Sequence, residues 1–493
     1  MNEVYTAEGL RETERLAFDA GATEDELIER AAAALCEETL ALAPKRVVVL
    51  AGGGNNGSDA LSLALDLRRA GKNVCVYLTS ARMNGYVRKR VALLAEAGIA
   101  PVDISESGTP EFREGDLIAD GMLGIGCTRP VTGRTAEIVD AVNASALPVL
   151  AVDIPTGLNA DTGRAEGAIV RASVTVSFTA YKQGQLLADG RNYCGRLIVR
   201  DIGLEKTEPN ARVITEKDVT LPLRKPVSNK GTYGNVRIIA GSPEMMGASL
   251  LAHESAMAAL RSGAGYAVLC VPRSLAAVYQ TRVKEELLYF LPDDDGAIMY
   301  DEGALADITS KAKSIVIGMG LGKNADLARI ISYIAHNFKG PLVVDGDGLN
   351  ALAACPDAVK GHSCELLLTP HVREFERLEK GVFGENSALP DTDRTVALAR
   401  ALDAAVAMKS ATTVISDGKE VWLNTTGTPA MAKSGSGDVL GGMTGAFALT
   451  LPPLEALKCA CYYFGKAGER AAAEKGERSV LASDVIGFVY ENA

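Results

Sequence analysis

A chain of 493 residues exceeds what one ordinary core holds, so two or three domains are expected. A formal charge of −11 and only 5% aromatic residues argue against a nucleic-acid groove as the main surface, while 47% hydrophobic and 23% charged residues describe a soluble globular protein. The 9 cysteines are scattered and form no C-x-x-C pair, which points to reduced thiols rather than disulfides or zinc. The start, MNEVYTAEGLRETERLAF, has no basic-then-apolar signal pattern, and no apolar run approaches the ~20 residues that span a bilayer, so a cytoplasmic protein is expected.

Residues 7–42 read as two helices, and Arg46–Ala51 is a continuously apolar run of the kind that buried parallel strands show. Gly52-Gly53-Gly54-Asn55-Asn56-Gly57-Ser58-Asp59 follows at once and opens a helix that continues to Arg69. The spacing is not G-x-G-x-x-G; its asparagines and aspartate add side-chain oxygens to the backbone donors, so the turn could hold a sugar, a pyrophosphate or a monovalent cation. Further strands are expected at Val74–Leu78, Leu117–Asp120, Val149–Asp153 and Val174–Phe178, with helices at Val87–Ala97 and Ala136–Ser145 between them. This alternation predicts a doubly wound sheet with its ligand at the strands' carboxyl ends. Two of those ends carry an aspartate and then a glycine turn: Asp120 before Gly121-Met122-Leu123-Gly124, and Asp153 before Ile154-Pro155-Thr156-Gly157. One such aspartate would be read as a loop cap; two, joined by the Asn-Asn loop, favour a site.

The segments GGGNNGSD, DGMLGIG with RPV, DIPTGLNADTG and VSFTAYKQG resemble the YjeF N-terminal domain, the NAD(P)H-hydrate epimerase family, over nearly all of residues 1–215. The resemblance implies a Rossmann-like fold that binds the hydrated nicotinamide cofactor and uses K+. By position it implies substrate contacts at Asn55, Asn56, Gly57, Ser58 and Asp59, at Gly124, Ile125, Gly126, Cys127, Thr128, Arg129 and Pro130, and at Asp153. It also implies potassium ligands at Asn56, Asp120 and Thr156, and Asp153 is the candidate for the epimerising base. Ser58 and Ala60 stand where that family usually has glycine, and Thr156 where it has serine, keeping the hydroxyl oxygen.

Residues 205–230 are charged and proline-dotted without periodicity and read as a linker, which places the domain boundary at 217/218. The alternation then restarts with Lys230-Gly231-Thr232-Tyr233-Gly234, a strand Val236–Ala240, a turn at Gly247-Ala248-Ser249, a helix to Arg261 and a strand Ala267–Val271. Later strands, Ile315–Ile317, Leu342–Val344 and Leu366–Leu368, run into Gly318-Met319-Gly320, Asp345-Gly346-Asp347 and Thr369-Pro370-His371. His371 could simply cap its helix, yet beside three such strand ends a ligand contact is the better reading. Lys409 alone could equally be a surface lysine. After a hairpin at Ser416–Lys419 comes Gly435-Ser436-Gly437-Asp438, opening a helix through Leu449. Such a turn aims bare N–H groups along a helix axis towards an anion, and Asp438 beside it suits a base that deprotonates an attacking hydroxyl.

The order KGTYGNVRIIAGS, MGAS, GMGLG, DGDGLNAL, LTPHVREF, MKSATTVI, GTPAMAKSGSGDVLGGM resembles the ADP-dependent NAD(P)H-hydrate dehydratases, with a ribokinase-like α/β/α fold, over about residues 220–493. It implies hydrate contacts at Ala248, Gly320, His371 and Asp438, and nucleotide contacts at Lys409, Ser410, Ala411, Thr412, Thr413 and Gly437. Ser410 replaces a common glycine of that family. The two resemblances together imply an α/β chain of two domains, 1–217 epimerising R and S hydrates and 218–493 dehydrating the S epimer, with ADP going to AMP and phosphate. Mg2+ is the cofactor expected at phosphoryl transfer. The expected partners are NADHX, NADPHX, ADP and further copies of the chain, with neither nucleic acid nor membrane. Two alternatives remain at this point: a ribokinase-like small-molecule kinase, and a non-catalytic scaffold acting through the N-terminal domain.

Overall fold

The computed structural model describes residues 2–489, which form two compact units dividing between Arg212 and Val213. In the first, Arg46–Ala51, buried at five of six positions, founds a parallel sheet. Across that sheet the strands run Val102–Asp103, Asn73–Leu78, Arg46–Ala51, Asp116–Gly121, Val149–Val152, Val174–Phe178 and Arg196–Arg200. The chain therefore winds one way from Arg46–Ala51 and then the other, and the crevice opens where the order reverses, between Ala51 and Gly121. The expected helices appear as Ala7–Asp19, Glu24–Ala41, Asn55–Arg69, Gly85–Glu96 and Gly133–Ala144. Thr23 and Glu26 close a capping box on the second of these. The strand Arg196–Arg200 was not expected, because its RLIVR pattern keeps charged ends and stays half-buried at the sheet's edge.

The second unit repeats the plan. Its strands lie in the order Leu287–Leu291, Tyr266–Pro272, Asn235–Ile239, Ser314–Ile317, Pro341–Val344, Glu365–Leu368, Ala404–Met408, Thr413–Ser416 and Val421–Asn424. The first seven are parallel; the last two return as an antiparallel hairpin. Here the order reverses between Asn235–Ile239 and Ser314–Ile317, and both strands run straight into glycine turns. Two small-residue helices, Met246–Arg261 and Ser436–Phe447, pack together over that point.

Residues 205–230 are not a linker throughout. Ala211–Val213 is a strand antiparallel to Glu3–Tyr5, and Ile214 and Val219 are buried, so the apolar residues hidden among the charges are built into the fold. Further on the linker reading holds better: Leu223 and Val227 are each 95% exposed. No helix among the described residues is long and apolar enough to cross a membrane. The cysteines are free, and burial pushes the thiols of Cys194, Cys270, Cys364, Cys459 and Cys461 up to about 12, which makes them inert.

The helix pair depends on Gly442, where a Cβ would lie 2.0 Å from the Ser255 carbonyl oxygen. An alanine in a helix interior normally gains about 1 kcal/mol over glycine. Here the clash with backbone outweighs that gain, so Gly442→Ala is expected to destabilise the C-terminal unit by about 1–3 kcal/mol in denaturant unfolding.

Candidate active sites

In the first unit the glycine turn exists because the backbone passes where no side chain fits. A Cβ on Gly52 would stand 1.8 Å from the Met122 carbonyl oxygen, and one on Gly57 2.0 Å from that of Gly52. The turn floors a cavity of about 610 Å3 over the reversal of strand order. Asn55, Asn56, Asp59, Gly124, Ile125, Gly126, Cys127 and Asp153 line it, brought together from three strand ends. Gly57 and Ser58 do not: the Ser58 side chain is buried and donates back to the Gly54 carbonyl. Thr128, Arg129 and Pro130 are also absent from the lining, so the Gly124–Pro130 loop meets the cavity only through its first four residues.

Beneath the turn a knot of oxygens forms. Thr156 donates to Asp120 from its hydroxyl at 2.7 Å and from its backbone N–H at 2.8 Å. The Thr156 hydroxyl accepts from the Leu123 N–H at 2.9 Å, and the Asn56 amide donates to the Leu123 carbonyl at 3.0 Å. Burial pushes the Asp120 carboxyl up to about 6, against the pull of its Thr156 and Met122 donors.

Asp153 sits just past its strand with φ +64°, a conformation a non-glycine residue holds only when its surroundings impose it. Its Oδ1 accepts from the Phe178 N–H at 3.0 Å and from the Lys182 ammonium. Lys182 is itself buried and also donates to Ser177 Oγ at 3.0 Å and the Phe178 carbonyl at 2.9 Å, so its three protons are all placed. Glu14 and Asp59 face the same cavity; burial first, and Asp153's charge second, push Glu14 up to about 7 and Asp59 well above the usual carboxylate range.

In the second unit Gly320, at φ +59°, packs on the start of the helix Met246–Arg261: a Cβ there would lie 3.0 Å from the Ala248 Cβ. Across the strand ends, Lys409 Nζ reaches Asp345 Oδ1 at 2.7 Å, and the Thr369 hydroxyl donates to the same oxygen at 2.9 Å. Gly437 lies over this pair, where a Cβ would stand 3.2 Å from Asp345 Oδ2 and 3.4 Å from Lys409 Nζ. Burial draws the Lys409 pKa down, but Asp345, Glu374 and Asp438 more than reverse it, so the ammonium is held charged. Gly435, at φ +89°, begins the helix Ser436–Phe447 with no side-chain cap; the Ser436 N–H donates to the Lys433 carbonyl at 3.4 Å, and the Gly437 N–H is left for a ligand. Asp438 is half-buried and takes no ion-pair partner among the described residues. Burial and then Asp345 push its carboxyl up to about 7.

His371 caps its helix, its Nδ1 accepting from the Arg373 N–H at 3.1 Å and from that of Glu374 at 3.4 Å. The capping role set aside on sequence grounds is therefore real, and Nε2 lies 3.3 Å from Glu374 Oε1. Lys409 is no surface lysine. Its neighbours Ser410 and Ala411 are exposed, Thr412 buries a hydroxyl without a partner, and Thr413 begins the returning strand.

Residues 236–489 match the NAD(P)H-hydrate dehydratase family, and residues 24–184 match the YjeF-related protein N-terminus. A bifunctional NAD(P)H-hydrate repair enzyme of Thermofilum pendens is 34% identical over 487 residues, covering 95% of this chain and 92% of the relative. The chain belongs to the bifunctional NAD(P)H-hydrate repair enzymes. Another bifunctional NAD(P)H-hydrate repair enzyme, from Coxiella burnetii, is 33% identical and covers 99% and 98% of the two chains. A crystal structure of the ADP/ATP-dependent NAD(P)H-hydrate dehydratase of Bacillus subtilis, co-crystallized with ATP/Mg2+, is 28% identical with a TM-score of 0.46, covering 55% of this chain and 92% of that one.

For a hydrate repair enzyme, the sequence reading missed the residues that tune the sites. Lys182, Asp345, Thr369 and Glu374 all lie inside segments singled out above, but pairing across separate strand ends carries no sequence signal. Glu14 and Glu24 lie on the first two helices and look like ordinary solvent-facing acids.

Asp438 also carries a stability signature. Its folded-state pKa is raised to about 7. The ionised form therefore costs stability, a cost that begins above the unfolded value near 4, is complete above about 7, and vanishes in acid. Asp438→Asn is expected to stabilise the C-terminal unit by about 1–2 kcal/mol at pH 8 and by nothing measurable at pH 4, read from denaturant midpoints.

Proposed function

We propose that this chain repairs hydrated NAD(P)H with two sites, the N-terminal unit interconverting R and S hydrates and the C-terminal unit dehydrating the S epimer while ADP becomes AMP and phosphate. The observation that carries the reading is the Asp438 carboxylate, unpaired and half-buried at an uncapped helix start beside the Lys409–Asp345 pair. Hydroxide is a poor leaving group. Asp438 takes the proton from the hydrate's hydroxyl as that oxygen attacks the terminal phosphorus of the nucleotide, whose phosphate rests on the N–H groups of the Gly435–Gly437 turn. The ester's C–O bond then breaks with phosphate leaving, and loss of a proton from the adjacent carbon restores the double bond. Lys409, held charged, offsets the phosphate's negative charge, while Ala248, Gly320 and His371, whose Nε2 is shared with Glu374, border the hydrate. The segment Lys409 to Thr413 and Gly437 serve the nucleotide.

Among the described residues no three His, Cys, Asp or Glu side chains converge to hold a metal. That fits Mg2+ arriving with the nucleotide, mostly held by phosphate and water, near the carboxylates around Lys409. When bound, it neutralises charge on the transferring group. In the N-terminal unit Asp120, Thr156 and the Leu123 carbonyl present oxygens, with the Asn56 side-chain amide against them. That is the chemistry of an alkali ion, and K+ there would offset Asp120 and fix the loops below the substrate. Asp153 is the base for epimerisation, with Asn55, Asn56, Asp59 and the Gly124–Cys127 segment around the substrate. Free thiols support a cytoplasmic location.

The test is incubation with mixed hydrate epimers, Mg2+ and ADP or ATP, following absorbance of the reduced cofactor. Asp438→Asn is expected to lose recovery by about 10²-fold or more, and Asp153→Asn to stop once the S epimer is consumed. Since Asp438 must be ionised, wild-type dehydration should rise with pH to a plateau above about 7. A stable phosphate ester without recovered absorbance would instead identify a kinase.

A further inference from the structure

We propose that Glu14, on the first helix, is the general acid that works opposite Asp153 in epimerisation, an assignment that rests on the epimerase reading of the N-terminal unit. The helix Ala7–Asp19 lies before residue 24, where the family match begins. It is nonetheless firmly placed: Thr6 caps it, and its first N–H, on Ala7, donates to Asp161 at 2.6 Å. Leu10, Glu14 and Phe18, spaced four apart, line the cavity as one stripe, a carboxyl between two apolar side chains. Glu14 is half-buried and takes no hydrogen-bond or ion-pair partner among the described residues. A partnerless carboxyl in such a place is costly to ionise unless it serves the cavity it faces.

The chemistry needs such a group. The hydroxyl-bearing carbon of the hydrate is bonded to the ring nitrogen. Its C–O bond can break while the nitrogen lone pair forms a C=N bond, provided the hydroxyl leaves as water and so gains a proton. Inversion then requires water to add to the other face of that carbon, returning the electron pair to nitrogen and giving up a proton. Asp153 suits the role of accepting that proton, because Phe178 and Lys182 fix Oδ1 and leave Oδ2 to receive it. Lys182 cannot supply the proton for the departing hydroxyl, since its three are committed to Asp153, Ser177 and Phe178. Asp59, on the helix Asn55–Arg69, lines the same cavity and is the rival acid, which the Asp59→Asn variant separates from Glu14. After one inversion Glu14 is ionised and Asp153 protonated; the reverse inversion, or exchange with water, restores both.

The test is made on the full chain without nucleotide, so that dehydration is silent, separating the R and S hydrates by chromatography and subtracting the uncatalysed rate. Glu14 is faced by Asp153, Glu24, Asp59, Lys182 and Arg11, and with burial these leave it protonated up to about pH 7. Wild-type kcat/KM for epimerisation should therefore fall above about pH 7. Glu14→Gln is expected to lower kcat about 10²-fold and to abolish that alkaline fall, while Glu14→Asp retains both the fall and part of the rate. Because Glu14 has like charges and no partner, Glu14→Gln should not lower the melting temperature. Wild-type kcat in Glu14→Gln, an unchanged alkaline fall, or loss confined to Asp59→Asn overturns the assignment while leaving the epimerase reading intact. A wild-type chain that does not interconvert the epimers overturns both.

Discussion

Both sites depend on one constraint: at each reversal of strand order a turn passes another segment's backbone more closely than any Cβ allows. Gly52 lies against the Met122 carbonyl in the first unit, and a Cβ on Gly318 would stand 1.7 Å from the Asp345 carbonyl oxygen in the second. These approaches bring the ends of adjacent strands into one crevice, so that residues distant in sequence meet. Asn56, Leu123 and Thr156 share hydrogen bonds only because of the first, and Asp345 comes within reach of Lys409 and Gly437 only because of the second. The exposed N–H groups that would hold an anion follow from the same geometry rather than from any side chain.

The two units also share an electrostatic arrangement. Each buries one lysine against one aspartate, Lys182 with Asp153 and Lys409 with Asp345. Each then leaves another carboxyl close to that pair but unpaired, Glu14 in the first unit and Asp438 in the second, both pushed up to about 7 by burial and by the paired aspartate. A buried lysine–aspartate pair contributes little net stability once desolvation is counted, but it fixes geometry and charge. The unpaired carboxyl is poised near neutral pH, where transferring a proton in either direction costs least.

The parallel sheets were largely legible in the sequence because strands covered on both faces are continuously apolar, as in Arg46–Ala51, Val174–Phe178 and Ser314–Ile317. What failed were elements without that cover: Glu3–Tyr5, Arg196–Arg200, Ala211–Val213 and Leu287–Leu291, short or half-exposed strands whose neighbours are charged. The aspartates at strand ends could be found because a glycine turn follows each. Their partners could not. Lys182 reads as a solvated lysine until the backbone at Asp153 and Thr179, φ +64° and +68°, folds the two strand ends towards it. His371 shows how one residue can carry two readings: its Nδ1 caps its own helix, as a histidine at that junction can.

The difference between the sites follows from the difference between the reactions. Epimerisation is reversible and leaves the substrate's composition unchanged, so the site must both give and take a proton, and neither group can be fixed in one state for good. Glu14 and Asp153 face one cavity in different surroundings, one without partners and one held by a lysine and a backbone N–H. Dehydration is driven in one direction by nucleotide cleavage. In the proposed reaction its site needs a single base, and Lys409 and the helix start at Gly435 would serve the phosphate. A second partnerless acid beside Asp438 would repel the nucleotide. The acid that most raises it, Asp345, is committed to Lys409 and Thr369, and so adds to the field at Asp438 without competing for the proton.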